Sequence, residues 1–224
     1  MYADAVARIA RSIFPIYYVD PEHDLAGVCG TGFFIDDGGL FLTSEHVMAS
    51  PPAGAAAYYY GRTPDEVCEP LEFEHVASDP ARDLYLGRVA AQRPAELSDE
   101  PVRPGDAVCL CGYPMAVLDI GPRGFVGNVR RYWQPTFAID ATESVIDGRT
   151  YDGYIVQHAC FPGMSGGPVF DVEGRVRGVA AATLTRTIPA VPGEAPTTVA
   201  NAIVIDVAHI RAFLEAQVGE VQGV

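Results

Sequence analysis

The sequence predicts an all-β fold, and three observations lead to this prediction. Short runs rich in β-branched and aromatic residues follow one another along most of the chain, each bounded by glycine, proline or aspartate. The length of 224 residues suits one large β domain or two small barrels packed together. Apolar residues make up 49 % of the chain, which is enough for a sizeable core and argues against global disorder. The predicted strands are IFPIYYV, TGFFI, GLFLTS, LEFEHV, LYLGRV, AVCLCGY, YIVQHAC, GPVFDV, RVRGVAA and NAIVI.

Two segments, one near each end, predict helices instead of strands. The stretch from Ala3 to Arg11 predicts a short amphipathic helix with Val6, Ile9 and Ala10 on one side. Residues 207–217 predict a second helix, with Asp206 placed to cap its first turn. The apolar face of this second helix consists of Val207, Ile210, Phe213 and Leu214.

Turns and spacers separate the predicted strands. Asp37-Gly38-Gly39 and Val172-Glu173-Gly174 predict hairpin turns. The stretch Arg93–Pro104 predicts a linker between two halves of the chain. The proline-rich stretch Ile188–Thr198 predicts an exposed loop.

The composition excludes several classes of partner. The net charge is −14 and no cluster of Lys and Arg is present, which argues against binding to nucleic acid. No apolar run reaches the roughly 18 residues that a membrane span needs. Asp4, Arg8 and Arg11 interrupt the region where a signal peptide would be apolar. We therefore expect no membrane association and a cytoplasmic location, unless a leader precedes this sequence.

The five cysteines are interpreted as buried small apolar residues, because free cysteine is among the most buried residue types. Their number is odd, so they cannot all pair within one chain. Cys109 and Cys111 alternate in a predicted strand and should face the same side. No CxxC pair or zinc-ligand spacing is present, so we expect no metal site and a reducing compartment.

The strongest local signal is the segment FPGMSGGPVF, with Ser165 at its centre. A serine hydroxyl is a weak nucleophile and must be presented to a base that takes its proton. The flanking glycines allow a sharp turn that directs backbone N–H groups toward one point. Gly163 and Ser165 are therefore candidate donors to a developing oxyanion. The alternative is an ordinary glycine-rich hairpin.

The second signal is GTGFFI followed by LFLTSEHV, which places His46 at the end of a predicted strand. A neutral imidazole is the natural general base near pH 7. Taken alone, a histidine in this position is more often a surface or core residue. The other four histidines lack comparable surroundings.

The third signal is SDPARDLYL, which contains two candidate carboxylates. A carboxylate that faces inward at the start of a strand can accept the Nδ1–H of a catalytic histidine and fix its tautomer. Asp83 fits best because an apolar run follows it directly, and Asp79 is the competitor. By itself, an aspartate before a strand is usually a turn residue.

Together these segments resemble the trypsin-like peptidases, and among them the HtrA-like and other bacterial members that lack disulfides. The order His, Asp, Ser is that of chymotrypsin. The resemblance covers about residues 30–213. The segments that carry it are GTGFFI, LTSEHV, DLYL, PGDAVCLCGYP at 104–114, FVGNVR at 125–130, GMSGGPVFD and NAIVI.

The resemblance implies two six-stranded antiparallel β-barrels with the site in the cleft between them. It divides the chain into a first barrel at about 12–97, a linker at about 98–104, a second barrel at about 105–206 and the helix at 207–217. His46 and Asp83 come from the first barrel and Ser165 from the second. The implied activity is hydrolysis of a protein or peptide substrate through an acyl-enzyme, without a cofactor. A regulatory protein partner, of unknown kind, is compatible with this family.

The sequence departs from the digestive members of the family next to the nucleophile and next to the base. Met164 replaces the aspartate that pairs with a new N-terminus after zymogen cleavage, so activation by that salt bridge is not expected. Glu45 replaces a small residue before His46, and we expect its side chain to point to solvent. No PDZ-like segment is evident.

The primary specificity pocket is inferred by the same resemblance. Small residues at its walls and the absence of an aspartate at its base favour an apolar side chain before the scissile bond. His158 is an alternative recognition residue for an acidic side chain. The inferred pocket residues are Ala159, Ala181, Thr183 and Ala202.

Two other functions compete with that of an active peptidase. One is a catalytically silent binding module that keeps the fold, which a serine-directed probe distinguishes from an enzyme. The other is an esterase of the α/β-hydrolase type, which also uses a GxSxG-like turn. That fold requires the order Ser, Asp, His and alternating helices, and the sequence shows neither.

Overall fold

A computed structural model of the chain confirms the all-β prediction. It describes residues 1–20, 25–49, 57–60, 73–89, 94–114, 117–121, 124–189 and 195–221. Within these ranges, fourteen strands and three α-helices are present. All the strand pairs are antiparallel, and the strands form two sheets.

The first sheet is built by the N-terminal half of the chain, and six of its strands follow the order β4-β1-β2-β3-β6-β5. The predicted N-terminal helix is present as α1, and one 3₁₀ turn at Ala10–Ser12 joins it to β1. A second, one-turn helix, α2, follows β3 directly. The elements are α1 (Ala3–Ile9), β1 (Ile13–Asp20), β2 (Leu25–Phe34), β3 (Leu40–Ser44), α2 (Glu45–Ala49), β4 (Ala57–Tyr60), β5 (Glu74–Asp79) and β6 (Leu84–Arg88).

The second sheet closes into a six-stranded barrel in the order β10-β11-β14-β13-β12-β7. A C-terminal helix, α3, follows its last strand. The elements of the C-terminal half of the chain are β7 (Ala107–Gly112), β8 (Val117–Gly121), β9 (Gly124–Asn128), β10 (Tyr132–Ile146), β11 (Arg149–Val156), β12 (Pro168–Phe170), β13 (Val176–Ile188), β14 (Thr197–Asp206) and α3 (Val207–Val221).

Four strands differ from the sequence prediction. The hairpin of β8 and β9 lies in the predicted second-barrel segment, yet β8 pairs with β2 through Gly27 and Val117 and so extends the first sheet. Strand β10 was not predicted, because most of its residues are exposed and its sequence therefore lacks a regular apolar alternation. Strand β4 was not predicted either.

The predicted turns and caps are confirmed where the structure describes them. Gly39 and Gly174 both have φ of +84°, as their hairpin turns require. Asp206 accepts a hydrogen bond from the backbone N–H of Ala208 at 2.8 Å and so caps α3. The predicted loop at Ile188–Thr198 joins β13 to β14, although residues 190–194 lie outside the described part of the chain.

One apolar cluster contains buried side chains of both halves and so packs them together. Phe33 and Leu42 of the first sheet belong to it, as do Phe170 and Ile205 of the second barrel. Burying an apolar side chain of this size stabilises the fold by roughly 1.5–3 kcal/mol. Cys109 and Cys111 are both fully buried in the same cluster, as their alternation predicted.

Both terminal helices pack on the second barrel. Helix α1 buries Ala5 and Ile9, and the Arg8 guanidinium donates to the carbonyl of Glu173 at 2.9 Å. Helix α3 buries Ile210 and Phe213, two of its predicted apolar residues. None of the helices among the described residues is long and apolar enough to cross a membrane.

Candidate active site

His46 is the second residue of the short helix α2, directly after the buried strand β3. The strand fixes the backbone up to Ser44, and the helical turn then places the imidazole beside the carboxylate of Asp83. The side chain is 30 % exposed, so one edge of the ring is accessible from solvent. This position allows a base to be held rigidly and still meet a substrate.

Asp83 lies at the end of the turn that leads into β6 and is completely buried. Its carboxylate accepts the backbone N–H of His46 at 2.9 Å and contacts the ring Nδ1 of His46 at 2.8 Å and 3.0 Å. An ionised carboxylate only accepts hydrogen bonds, so Nδ1 carries the proton and Nε2 is left as the acceptor. The residue has φ of +60°, a left-handed conformation that aspartate tolerates better than most residues.

Asp79, the competing carboxylate, has a different partner. It pairs with Arg82 in the same turn at 2.9 Å. Both ends of that pair are partly exposed to solvent. The structure therefore brings Asp83, and not Asp79, to the imidazole of His46.

Ser165 is the second residue of the second of two consecutive turns, each closed by a backbone hydrogen bond of 2.9 Å. In the first turn the N–H of Met164 donates to the carbonyl of Phe161, and in the second the N–H of Gly167 donates to Met164. The third residue of each turn has positive φ, +93° at Gly163 and +82° at Gly166, as a type II turn requires. The glycines around the serine are therefore needed for this backbone path.

The carbonyl groups of this loop are held by strand β2 of the first sheet. The Thr31 hydroxyl donates to the carbonyl of Gly163 at 2.7 Å, and the Thr31 N–H donates to the carbonyl of Ser165 at 2.9 Å. The same hydroxyl accepts the N–H of Tyr113 at 3.2 Å. Thr31 thus joins both halves of the chain at the serine loop, a function that its place in the GTGFFI segment did not reveal.

The N–H groups of Gly163 and Ser165 donate no hydrogen bond to any part of the chain that the structure describes. Buried or half-buried backbone N–H groups normally have a partner. Two free donors beside one hydroxyl therefore form a site that can receive a negatively charged oxygen.

The hydroxyl of Ser165 donates to the carbonyl of Ala181 at 3.3 Å. Between Ser165 and His46, both of which are described, no hydrogen bond is present. A change of χ1 between staggered rotamers redirects a serine hydroxyl without moving the backbone. Catalytic hydrogen bonds are often made only once a substrate is bound.

Cys160 lies beside the Ser165 hydroxyl and was not singled out from the sequence. Burial raises the pKa of its thiol to about 12, and the hydrogen bond with Ser165 offsets only part of that shift. The thiol is therefore neutral near pH 7 and is a poor nucleophile. Cys160 acts as part of the wall around the serine.

The four predicted pocket residues lie on or beside the strands that follow the serine. Ala181 and Ala202 are buried on β13 and β14, whereas Ala159 and Thr183 are partly exposed. Ala202 pairs with Thr183 across the two strands. The Thr183 hydroxyl is used in a hydrogen bond to the carbonyl of Cys160 at 2.6 Å. His158, the alternative recognition residue, is exposed.

Glu45 does not point to solvent, and that expectation was wrong. Its side chain is only 15 % exposed and pairs with Arg149 of β11 at 3.0 Å. The two residues lie 104 positions apart in the chain, so no local sequence pattern predicts the pair. Among the described residues, no group of three or more His, Cys, Asp or Glu side chains is arranged to hold a metal ion.

A family profile described as a trypsin-like peptidase domain matches residues 30–179 of this chain. Among curated proteins, one similar sequence is the uncharacterized protein y4bJ of Sinorhizobium fredii, 33 % identical over 80 % of this chain and 26 % of that protein. Another is a probable periplasmic serine endoprotease DegP-like of Brucella suis, 29 % identical over 71 % of this chain and 28 % of that protein. The chain thus spans about a quarter of the length of these relatives.

Two solved structures have a similar fold at lower sequence identity. The Rv3671c protease of M. tuberculosis in its active form has a TM-score of 0.63 at 24 % identity, covering 92 % of this chain and 81 % of that chain. The HtrA-type protease AlgW with a tripeptide has a TM-score of 0.62 at 22 % identity, covering 91 % and 60 %. These similarities concern the fold alone.

Proposed function

This chain belongs to the trypsin-like peptidase family, and from that premise we propose that it is a serine endopeptidase. In this proposal Ser165 is the nucleophile, His46 the general base and Asp83 the carboxylate that orients His46. The observation that carries the proposal is the pair of contacts from the buried Asp83 carboxylate to His46, at 2.9 Å to the backbone and 2.8 Å to the ring. An aspartate with only a structural role would not need to hold the imidazole of His46 in one tautomer, whereas a catalytic aspartate does.

The first half of the reaction forms an acyl-enzyme. Ser165 turns its hydroxyl from the Ala181 carbonyl to Nε2 of His46, which takes the proton as the oxygen attacks the peptide carbonyl. Negative charge then develops on the substrate oxygen, and the free N–H groups of Gly163 and Ser165 stabilise it. The protonated His46 next gives its proton to the leaving amine, and the C–N bond breaks.

The second half repeats these steps with water. His46 takes a proton from a water molecule that attacks the acyl carbon, and the ester bond to Ser165 breaks. The proton returns to the serine oxygen, so the enzyme is regenerated without a cofactor. Asp83 stays ionised throughout and stabilises the imidazolium each time it forms.

Met164 supports the proposal that this site is not activated by a new N-terminus released through zymogen cleavage. Its side chain is fully buried in the apolar cluster of the second barrel, beside the nucleophile. An apolar residue in this position cannot pair with a free amino group. The serine loop is instead held by the hydrogen bonds of Thr31.

The pocket residues support a preference for a small or apolar side chain before the scissile bond. Ala181 and Ala202 supply methyl groups, and the hydroxyl of Thr183 is already bonded to Cys160. In a peptide panel varied only at that position, we expect kcat/KM for alanine, valine or leucine to exceed that for lysine or glutamate by about 10-fold or more. A higher value for lysine or glutamate would contradict this preference.

Cleavage profiling tests the proposed activity directly. A denatured cell extract treated with the wild-type protein is expected to gain new peptide termini that the Ser165→Ala variant does not produce. His46→Ala serves as an independent catalytic variant, because it leaves the serine loop intact. Equal numbers of new termini with wild type and both variants would mean that this chain does not hydrolyse proteins.

A further inference from the structure

The turn between β10 and β11 reaches from the second barrel to the carboxylate turn of the first sheet. Asp147 and Gly148 form a two-residue hairpin turn with φ of +51° and +80°, as a type I′ turn requires. Just after it, the N–H of Thr150 donates to the carbonyl of Ala81 at 2.8 Å. Ala81 is two residues before Asp83, so the hairpin end is anchored beside that carboxylate.

Arg149, at the start of β11, contacts two carboxylates of the first sheet. Its Nη2 donates to Glu45 Oε2 at 3.0 Å, and its Nε lies 3.5 Å from Asp83 Oδ1. The Nε atom is buried and has no hydrogen bond in the described part of the chain. The hydrogen bond with Glu45 raises the pKa of Arg149, so the guanidinium is charged throughout the working range.

Tyr151, two residues further along the same strand, contacts the other oxygen of the same carboxylate. Its hydroxyl donates to Asp83 Oδ2 over a long distance of 3.5 Å, and its side chain is 4 % exposed. Burial raises the pKa of this phenol, and the Asp83 carboxylate raises it further. Tyr151 is therefore a neutral donor toward Asp83 near pH 7.

We propose that Arg149 and Tyr151 are positioning residues for Asp83, and this inference rests on the proposed function of Asp83. His46 occupies one side of the buried carboxylate, and the two β11 side chains contact it from the second barrel. Without them, only the backbone N–H and Nδ1 of His46 hold the carboxylate, and its orientation toward Nδ1 is less restricted. The hairpin thus makes correct orientation of the base depend on the contact between the two halves of the chain.

Arg149 also sets the charge around His46. The charged side chains that act on this cluster are Asp83, Glu45 of α2, Arg149 of β11 and Asp147 of the β10–β11 turn, with the neutral Tyr151. Arg82 and Asp79 pair with each other at the outer side of the turn. The Arg149 cation opposes a second cation on His46 and offsets Glu45, so loss of its charge favours the protonated form of His46.

Four variants test this inference. Arg149→Met removes the charge at similar length, Arg149→Lys keeps the charge but loses the forked geometry, and Tyr151→Phe removes one hydroxyl. Arg82→Met is the matched control, because it removes an arginine from the turn that carries Asp83, and the Arg82 side chain pairs with Asp79 instead. The measurements are kcat and KM for one peptide over a range of pH, with thermal melting to confirm folding.

We expect Arg149→Met to lower kcat by about 10- to 100-fold with little change in KM, as for displaced catalytic groups generally. The acid limb of its kcat/KM profile is expected about half a pH unit or more above that of the wild type. Arg149→Lys should have its acid limb at the same pH as the wild type. Tyr151→Phe should lower kcat by about 3-fold or more. Arg82→Met should have the kcat and the pH profile of the wild type.

The outcomes separate this inference from the proposed function. Suppose that the wild-type protein cleaves peptides and that the folded variants Arg149→Met and Tyr151→Phe have the same kcat and pH profile. The positioning role is then wrong, and the proposed peptidase activity is unaffected. If Arg149→Met does not fold, Arg149→Lys and Tyr151→Phe still decide, because both preserve side-chain volume. If neither wild type nor variants cleave any substrate or react with a serine-directed probe, the proposed function itself fails.

Discussion

Replacing Asp83 with asparagine is expected to lower kcat by about 10⁴-fold while leaving the fold intact. The asparagine side chain has the same shape, but only one of its two polar atoms accepts hydrogen bonds. The backbone N–H and Nδ1 of His46 both donate to this carboxylate, so one of them would face an NH₂ group. The imidazole then favours the tautomer with a proton on Nε2, which cannot take the proton of Ser165.

The matched control is Asp79→Asn, in the same turn. Asp79 pairs with Arg82 near the surface, so its neutralisation should change kcat by less than about 2-fold. Steady-state hydrolysis of one peptide measures both variants, and circular dichroism checks their folding. A folded Asp83→Asn variant with near wild-type kcat would remove Asp83 from the mechanism.

The second large effect is expected for Gly163→Ala, which should lower kcat by about 10²- to 10³-fold. Gly163 has φ of +93°, and an added Cβ would lie 2.4 Å from the carbonyl oxygen of Tyr113. The turn must therefore shift, and the N–H of Gly163 shifts with it. Because this donor stabilises the oxyanion only in the transition state, KM should change much less than kcat.

Gly105→Ala is the matched control for backbone strain. Gly105 has φ of +95°, and an added Cβ there meets nothing within 4 Å. Alanine at positive φ destabilises this variant, but the substitution lies outside the serine loop. We therefore expect a small decrease in melting temperature and an unchanged kcat. Equal kcat in the two variants would contradict a catalytic role for the Gly163 N–H.

The sequence predicted the parts of the site that are encoded in short segments. The FPGMSGGP segment contains both type II turns, because each needs glycine at its third position, and LTSEHV gives the strand end that presents His46. Asp83 was chosen over Asp79 from the apolar run that follows it. The structure brings Asp83 to His46 for the reason that this pattern suggested, because the side chain just before strand β6 is buried.

What the sequence did not predict depends on contacts between distant segments. The Glu45–Arg149 pair joins a helix of the first sheet to a strand of the second barrel, and no periodicity encodes such a pair. Thr31 is an ordinary strand residue in sequence, yet its hydroxyl contacts both Gly163 and Tyr113. The division into a first barrel, a linker at about 98–104 and a second barrel stays a prediction.

The central claim is that Ser165 is a nucleophile activated by His46. A fluorophosphonate probe tests this most directly, because it reacts only with a serine whose hydroxyl is deprotonated by a base and whose product oxyanion is stabilised. Mass spectrometry of the labelled wild-type protein is expected to find the adduct on Ser165, with labelling abolished in Ser165→Ala and strongly slowed in His46→Ala. An unlabelled, folded wild-type protein, or labelling that persists in His46→Ala at the wild-type rate, would contradict the account.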